Sequence, residues 1–152
     1  MFFLKDLPSR QMIERYTAQY DVEPARIAAG LETMRRASVM IRRLEAYFAE
    51  HGLSQLRFLF LVVIDREPDH ATLTVGEITQ RLDVAGPVVA RTLRALLDAG
   101  LVHARKDARD ARTKHIGLTA AGRARLTAVL PGYFAIIDAQ MTTPLDPDSP
   151  SP

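Results

Sequence analysis

The chain contains no cysteine. That excludes a disulfide framework, thiolate metal sites and any redox switch that works through a thiol. It also lacks a long apolar run: the longest, Phe58 to Ile64, falls far short of the ~20 residues a membrane-spanning helix needs. The opening MFFLK is too short for a secretory signal and no cleavage-site pattern follows it, so a soluble cytoplasmic protein is expected. Catalytic motifs are missing too, with no phosphate-binding glycine loop, no nucleophile elbow and no HExxH. The histidines, His51, His70, His103 and His115, show no ligand spacing. His103 and His115 fall on segments expected to pair as strands, and the sequence leaves open whether they share a face. Neither an enzyme nor a bound metal or cofactor is expected.

What is present is ordinary globular composition, 47% hydrophobic and 25% charged, in 152 residues, which is enough for one domain with a real core. The net charge of +2 says little, but its distribution says more. From Arg91 to His115 there are seven Lys or Arg against three Asp, so this segment carries +4 and the remainder −2. A basic segment on a slightly acidic body is the footprint of a polyanion partner. A solvated charged face is the alternative that charge alone leaves open.

Residues 8–20 read as a short helix whose Met12, Ile13, Tyr16 and Tyr20 form one apolar stripe. Pro24 suits the first turn of a second helix running to about His51, with Ile27, Leu31, Met34, Ser38, Ile41, Leu44 and Phe48 at spacings of three and four. Gly52 closes it, and Arg35, Arg36, Arg42 and Arg43 read as its solvated face. A helix of that length calls for a partner helix, from the same chain or a second one. Ser54 is suited to cap a third helix, apolar nearly all round and ended by Pro68, which should lie at the centre. DHAT, residues 69–72, reads as a loop. Thr74 and Glu77 make a capping box for a short helix with Ile78 and Leu82 on its buried side. A turn over 84–86 leads to a helix opening at Pro87 and stopping at Gly100, with Val89, Leu93, Leu96 and Leu97 facing the core. Two strands around an Arg-rich loop follow. The last helix is capped by Thr119, interrupted at Pro131 and resumed to Met141, and a Pro-Asp-Ser tail is expected to be disordered. The expected division is 1–52, 53–118, 119–142 and the tail 143–152.

Two short helices joined by a tight turn outline a helix-turn-helix. The ordered set Leu73-Thr74, Glu77-Ile78, Leu82, Val84, Arg91, Leu93, Leu96, Gly100-Leu101-Val102, Asp110-x-Arg112 and Leu118-Thr119-x-x-Gly122 resembles the winged helix of the MarR family of bacterial transcription regulators. The resemblance covers about residues 53–130. It implies a mainly α fold with a small β-hairpin wing and helical dimerisation regions at 1–52 and 119–142. It implies a cytoplasmic repressor that binds a palindromic operator in double-stranded DNA as a homodimer, through a recognition helix at 86–99 and a wing at 103–117. Its implied DNA-binding residues are Gly86, Pro87, Val88, Ala90, Arg91, Thr92 and Arg94 on the helix and Arg109, Asp110, Arg112 and Lys114 on the wing. The arginine matching Arg112 takes the minor groove and the aspartate matching Asp110 helps hold the wing. A small aromatic or anionic effector is also implied, for which Phe48, Phe58, Phe60, Arg42 and Arg57 lie in segments able to line a cavity, or else to serve as core and surface.

The sequence departs from the family pattern in two places. Ala85, Gly86, Val88, Ala90 and Ala95 stand where Ser, Thr or basic residues are frequent, leaving Arg91, Thr92 and Arg94 as readers, with Val88 or Ala90 able to meet thymine methyl groups. The family's further carboxyl-terminal helix is replaced by the tail, so a dimer would rest on residues 8–51 and 119–142. A ligand-binding or protein-interaction module without specific DNA binding is the second reading that this depletion keeps open.

Overall fold

A computed structural model describes residues 6–65, 72–107 and 113–142. His70, Arg109, Asp110, Arg112 and the tail 143–152 lie outside the described residues. The element order is α1 (Arg10–Thr17), α2 (Pro24–Glu50), α3 (Gln55–Asp65), β1 (Thr72–Thr74), α4 (Val75–Arg81), α5 (Gly86–Asp98), β2 (Val102–Lys106), β3 (Lys114–Leu118) and α6 (Ala120–Thr142).

Local chemistry explains most of these boundaries. The Ser9 hydroxyl accepts the Met12 N–H at 3.3 Å and starts α1, and the Ser54 hydroxyl accepts the Arg57 N–H at 3.2 Å to start α3. The Thr74–Glu77 box is complete: Glu77 N–H donates to Thr74 Oγ1 at 3.2 Å, and Thr74 N–H to Glu77 Oε2 at 2.7 Å. Helices α2 and α5 both end on a glycine in the left-handed region, Gly52 at φ 65° and Gly100 at φ 67°. Each is followed by a residue whose N–H reaches back to the last full turn, Leu53 to Phe48 O at 2.9 Å and Leu101 to Leu96 O at 3.0 Å. This is the Schellman arrangement, which satisfies carbonyls that would otherwise be orphaned.

The described residues fall into two compact units, one from Glu45 to Tyr133 and the other from the residues up to Leu44 together with those from Phe134 onward. In the first, α3 is central as expected. Phe58, Phe60, Leu61, Val63 and Ile64 are buried, and the helix lies against β3, α4 and α5. Ile78, Val89, Leu93, Leu96, Leu126 and Val129 complete the helical part of this core. The sheet has the order β1-β3-β2, antiparallel throughout. Its inner face brings Leu73, Ile116, Val102 and Leu118 to the core.

The strand β1 corrects the loop expected at 69–72, because Thr72 pairs with Gly117 of β3. A three-residue strand is too short to show an alternating pattern, and only the partner strand makes it one. On the outer face the register places His103 opposite Gly117 and His115 opposite Arg105. The two histidines therefore share a face but are not directly paired. His103 lies across Gly117, where an added Cβ would stand 2.8 Å from its Nε2. No group of three potential metal ligands exists among the described residues.

Pro131 does not interrupt the last helix, which is continuous from Ala120 to Thr142. The proline removes one N–H from the ladder, and the next residue provides a notch. A Cβ on Gly132 would overlap the Tyr47 ring, and the Tyr47 hydroxyl donates to the Val129 carbonyl at 3.0 Å. Phe48, Phe58 and Tyr133 pack beside this contact, with ring centroids 4.6 Å (Phe48–Phe58) and 4.8 Å (Phe58–Tyr133) apart.

In the other unit, the expected α2 stripe is only partly covered. Ser38 and Leu44 are buried, while Ile27, Met34 and Ile41 are exposed in the single chain. Arg35 and Arg36 are not the solvated face expected of them: both are half-buried and pair with Glu32, Arg36 Nε at 2.8 Å.

The notch gives a testable consequence. Tyr47→Phe should cost about 1 kcal/mol through the lost hydrogen bond, and Gly132→Ala roughly 1–3 kcal/mol through overpacking. Urea unfolding of the single and double variants measures both. Strict additivity would show that the ring and the glycine are not in contact.

Candidate nucleic-acid interface

Helix α5 divides its residues cleanly between two environments. Val89, Leu93 and Leu96 face the core, at 1%, 8% and 0% exposure. Pro87, Ala90, Arg91, Arg94 and Asp98 recur at helical spacing and are all exposed, with Gly86 beside them at the start. Val88 is half-buried. Thr92 departs from the rest of the set: at 9% exposure it lies on the core side, one position round from the outward stripe. Arg91 and Arg94 make no ion pair among the described residues, and neither do Arg105 and Lys106 of β2 or Lys114 of β3. All five side chains are exposed, so their charge is uncommitted.

The start of α5 is chemically bare. Ala85 has the extended backbone of an N-cap, φ −65° and ψ 144°, but offers no side-chain acceptor. Pro87 in the first turn compensates in part, since it has no N–H to leave unsatisfied.

The far end of α5 is tied to the wing. The Thr119 hydroxyl donates to the Gly100 carbonyl at 2.7 Å and accepts the Gly122 N–H at 3.0 Å, while Thr119 N–H donates to Leu101 O at 3.1 Å. A Cβ on Gly122 would run into that Leu101 carbonyl. The Gly100-Leu101-Val102 and Leu118-Thr119-x-x-Gly122 motifs are thus two halves of one joint between α5, β2, β3 and α6.

At the other end of the hairpin, Asp107 N–H donates to Thr113 O at 2.9 Å, and His115 Nε2 stands 2.9 Å from Asp107 Oδ2. Sequence reasoning did not find this closure, because nothing in the spacing of the two residues distinguishes it from a solvated pair. It ties the end of β2 to the start of β3. A further feature missed from sequence is a cavity of about 360 Å³ between the start of α4 and the base of β3, lined by Thr74, Val75, Gly76, Thr113 and Lys114. Four of the residues considered for an effector cavity, Phe48, Phe58, Phe60 and Arg42, are otherwise engaged. Phe48, Phe58 and Phe60 are fully buried, and Arg42 donates to Ser38 Oγ at 2.7 Å on its own helix.

A short helix α4, a turn, an outward-facing second helix and an antiparallel hairpin together define a winged helix-turn-helix. The MarR family model matches residues 51–113. An HTH-type transcriptional repressor, YetL of Bacillus subtilis, is 32% identical over 139 residues, covering 91% of this chain and 83% of that protein. The chain belongs to the MarR family of transcriptional regulators. Its fold is similar to that of S. aureus MepR in a complex with DNA, with a TM-score of 0.64 at 23% identity over 75% of this chain and 82% of that one. It is similar also to Bordetella bronchiseptica BpsR, a structure described as showing regulation of DNA binding by 6-hydroxynicotinic acid, with a TM-score of 0.64 at 16% identity over 76% and 86%.

Because Ala85 already has cap geometry, Ala85→Ser should stabilise the protein by about 1 kcal/mol. The midpoint of chemical denaturation is the measurement, and an unchanged midpoint would mean that the first turn of α5 is satisfied in some other way.

Proposed function

We propose that the protein is a repressor that binds a palindromic operator in double-stranded DNA as a homodimer. Helix α5 enters the major groove and the wing reaches the flanking minor groove. The observation that carries this reading is the outward stripe of α5, whose Arg91 and Arg94 are exposed and uncommitted. The equally uncommitted Arg105, Lys106 and Lys114 of the hairpin belong to the same unit. Arg is suited to a guanine edge through two parallel hydrogen bonds, and is drawn to the negative potential of a narrow minor groove. In this reading Arg91 is the base reader and Arg112 the minor-groove residue, with Asp110 holding the loop. Arg94, Arg109 and Lys114 meet phosphates, and Gly86, Pro87, Val88 and Ala90 line the base edges. The DNA complex of MepR supports the same use of this fold.

The dimer is supported by the exposed apolar side chains. Each large exposed hydrophobic, among them Tyr16, Tyr20, Met34, Ile41, Phe134 and Met141, belongs to the unit built from the two ends of the chain. Such a concentration is characteristic of an association surface. Modulation by a small aromatic or anionic effector is supported by the regulation described for BpsR. The scarcity of polar readers on α5 favours, as a second reading, an interaction module without specific DNA binding.

Titration against duplex from upstream of the protein's own gene and against scrambled duplex, at two salt concentrations, tests the proposal. Specific regulators prefer their site by about 10³-fold or more; equal affinities that collapse together with salt would leave only phosphate binding and support the second reading. Arg91→Ala should cost about 1–3 kcal/mol and relax base preference, whereas Arg112→Ala should weaken binding and lower the salt slope by about one. For the dimer, Met34→Glu with Phe134→Glu should shift the light-scattering mass from twice 16.9 kDa to a single chain. A parent protein that is already monomeric would overturn that part.

A further inference from the structure

The outward stripe of α5 is not uniform along its length. From Arg91 onward its outward positions are Arg91, Arg94 and Asp98, and before Arg91 they are Gly86, Pro87 and Ala90. None of those three has a side-chain hydrogen-bond donor or acceptor. Thr92, the one neutral polar side chain of the helix, lies on the core side. The cap residue Ala85 adds no polar group, and Pro87 lacks even a backbone N–H.

In a helix-turn-helix the amino-terminal residues of the second helix are the ones laid against the base edges. Three of the four bases present only hydrogen-bonding groups in the major groove. Thymine alone adds an apolar one, the C5-methyl. A bare, rigid Pro87 and the Ala90 methyl one turn further on have nothing to offer a guanine, adenine or cytosine edge, and would leave its polar groups desolvated and unpaired. Against a thymine methyl the same surface gains by excluding water.

We infer that Pro87 and Ala90 are specificity-determining residues, and that they select thymine by apolar contact with its C5-methyl at the step beside the base read by Arg91. The half-site then has a mixed recognition code, one methyl-read position of T·A pairs next to one position read by an arginine. The methyl contact supplies the discrimination, because thymine O4 is left as unpaired by this surface as the polar groups of any other base, and only thymine offers an apolar group in return. This inference rests on the DNA-binding reading above and names what its major-groove helix recognises.

The test begins with selection of duplexes from a random pool by the full-length protein. Each thymine in the selected site is then replaced singly by deoxyuridine, which removes the methyl and keeps the pairing. A buried methyl is worth about fourfold in affinity, so one or two positions per half-site should lose about that much and the other thymines nothing. In Ala90→Gly the thymine-over-uracil ratio at one of those positions should fall towards one. The ratio is taken within one protein preparation, so a change in its folded fraction does not enter. Uracil bound as tightly as thymine at every position would overturn the inference and leave specific DNA binding standing. A ratio unchanged by Ala90→Gly would overturn the role of that residue. A selection that enriches no sequence would overturn the DNA-binding reading itself.

Discussion

The geometry of the interface depends on the joint at Thr119. One side chain closes the last turn before it, by bonding the carbonyl of Gly100, and opens the helix after it, by capping Gly122. Gly100 can occupy that place because it tolerates a positive φ, and Gly122 because it has no Cβ to meet the Leu101 carbonyl. The end of the recognition helix, both strands of the hairpin and the start of α6 are therefore fixed to one another through a few backbone atoms. The direction of the hairpin relative to α5 follows from these short, directional hydrogen bonds together with the burial of Val102, Ile116 and Leu118 in the core. A site whose groups come from both the helix and the hairpin needs that rigidity, since the two must be held in one fixed relation.

How much of this was legible in the sequence differs from element to element. The helices were readable because their signals are local: Ser54 and the Thr74–Glu77 pair cap within one turn, and Gly52 and Gly100 stop within one residue. The core side of α3 was readable because an all-round apolar helix has only one place to go. What escaped was whatever depends on a partner distant in sequence. Thr72 becomes a strand only because β3 offers it a ladder. Pro131 is accommodated within a continuous α6, and the Tyr47 ring and hydroxyl fill the notch beside it from 85 positions away. Arg36 is half-buried and pairs with Glu32, one turn back on the same face.

The exposed face of α5 was legible in outline, with one residue misplaced. Helical spacing assigns the outward face of α5 correctly for Pro87, Ala90, Arg91 and Arg94. Thr92 fails because a hydroxyl invites a functional reading, whereas its position, three residues after Val89 and one before Leu93, places it on the core side. Position outranks residue type in such a case. The closure of the hairpin by His115 and Asp107 has no sequence signature at all, since it depends on the register of the strands.

The cleanness with which α5 separates its two faces has a consequence for inheritance and for redesign. The residues that hold the helix in place, Val89, Leu93 and Leu96, are not those that point outward, so Ala90, Arg91 and Arg94 can change without disturbing the core contacts of α5, whereas Pro87 also serves the first turn of the helix. A lineage carrying this chain can vary those three positions while the packing of α5 is left alone, and the same three are the ones open to redesign.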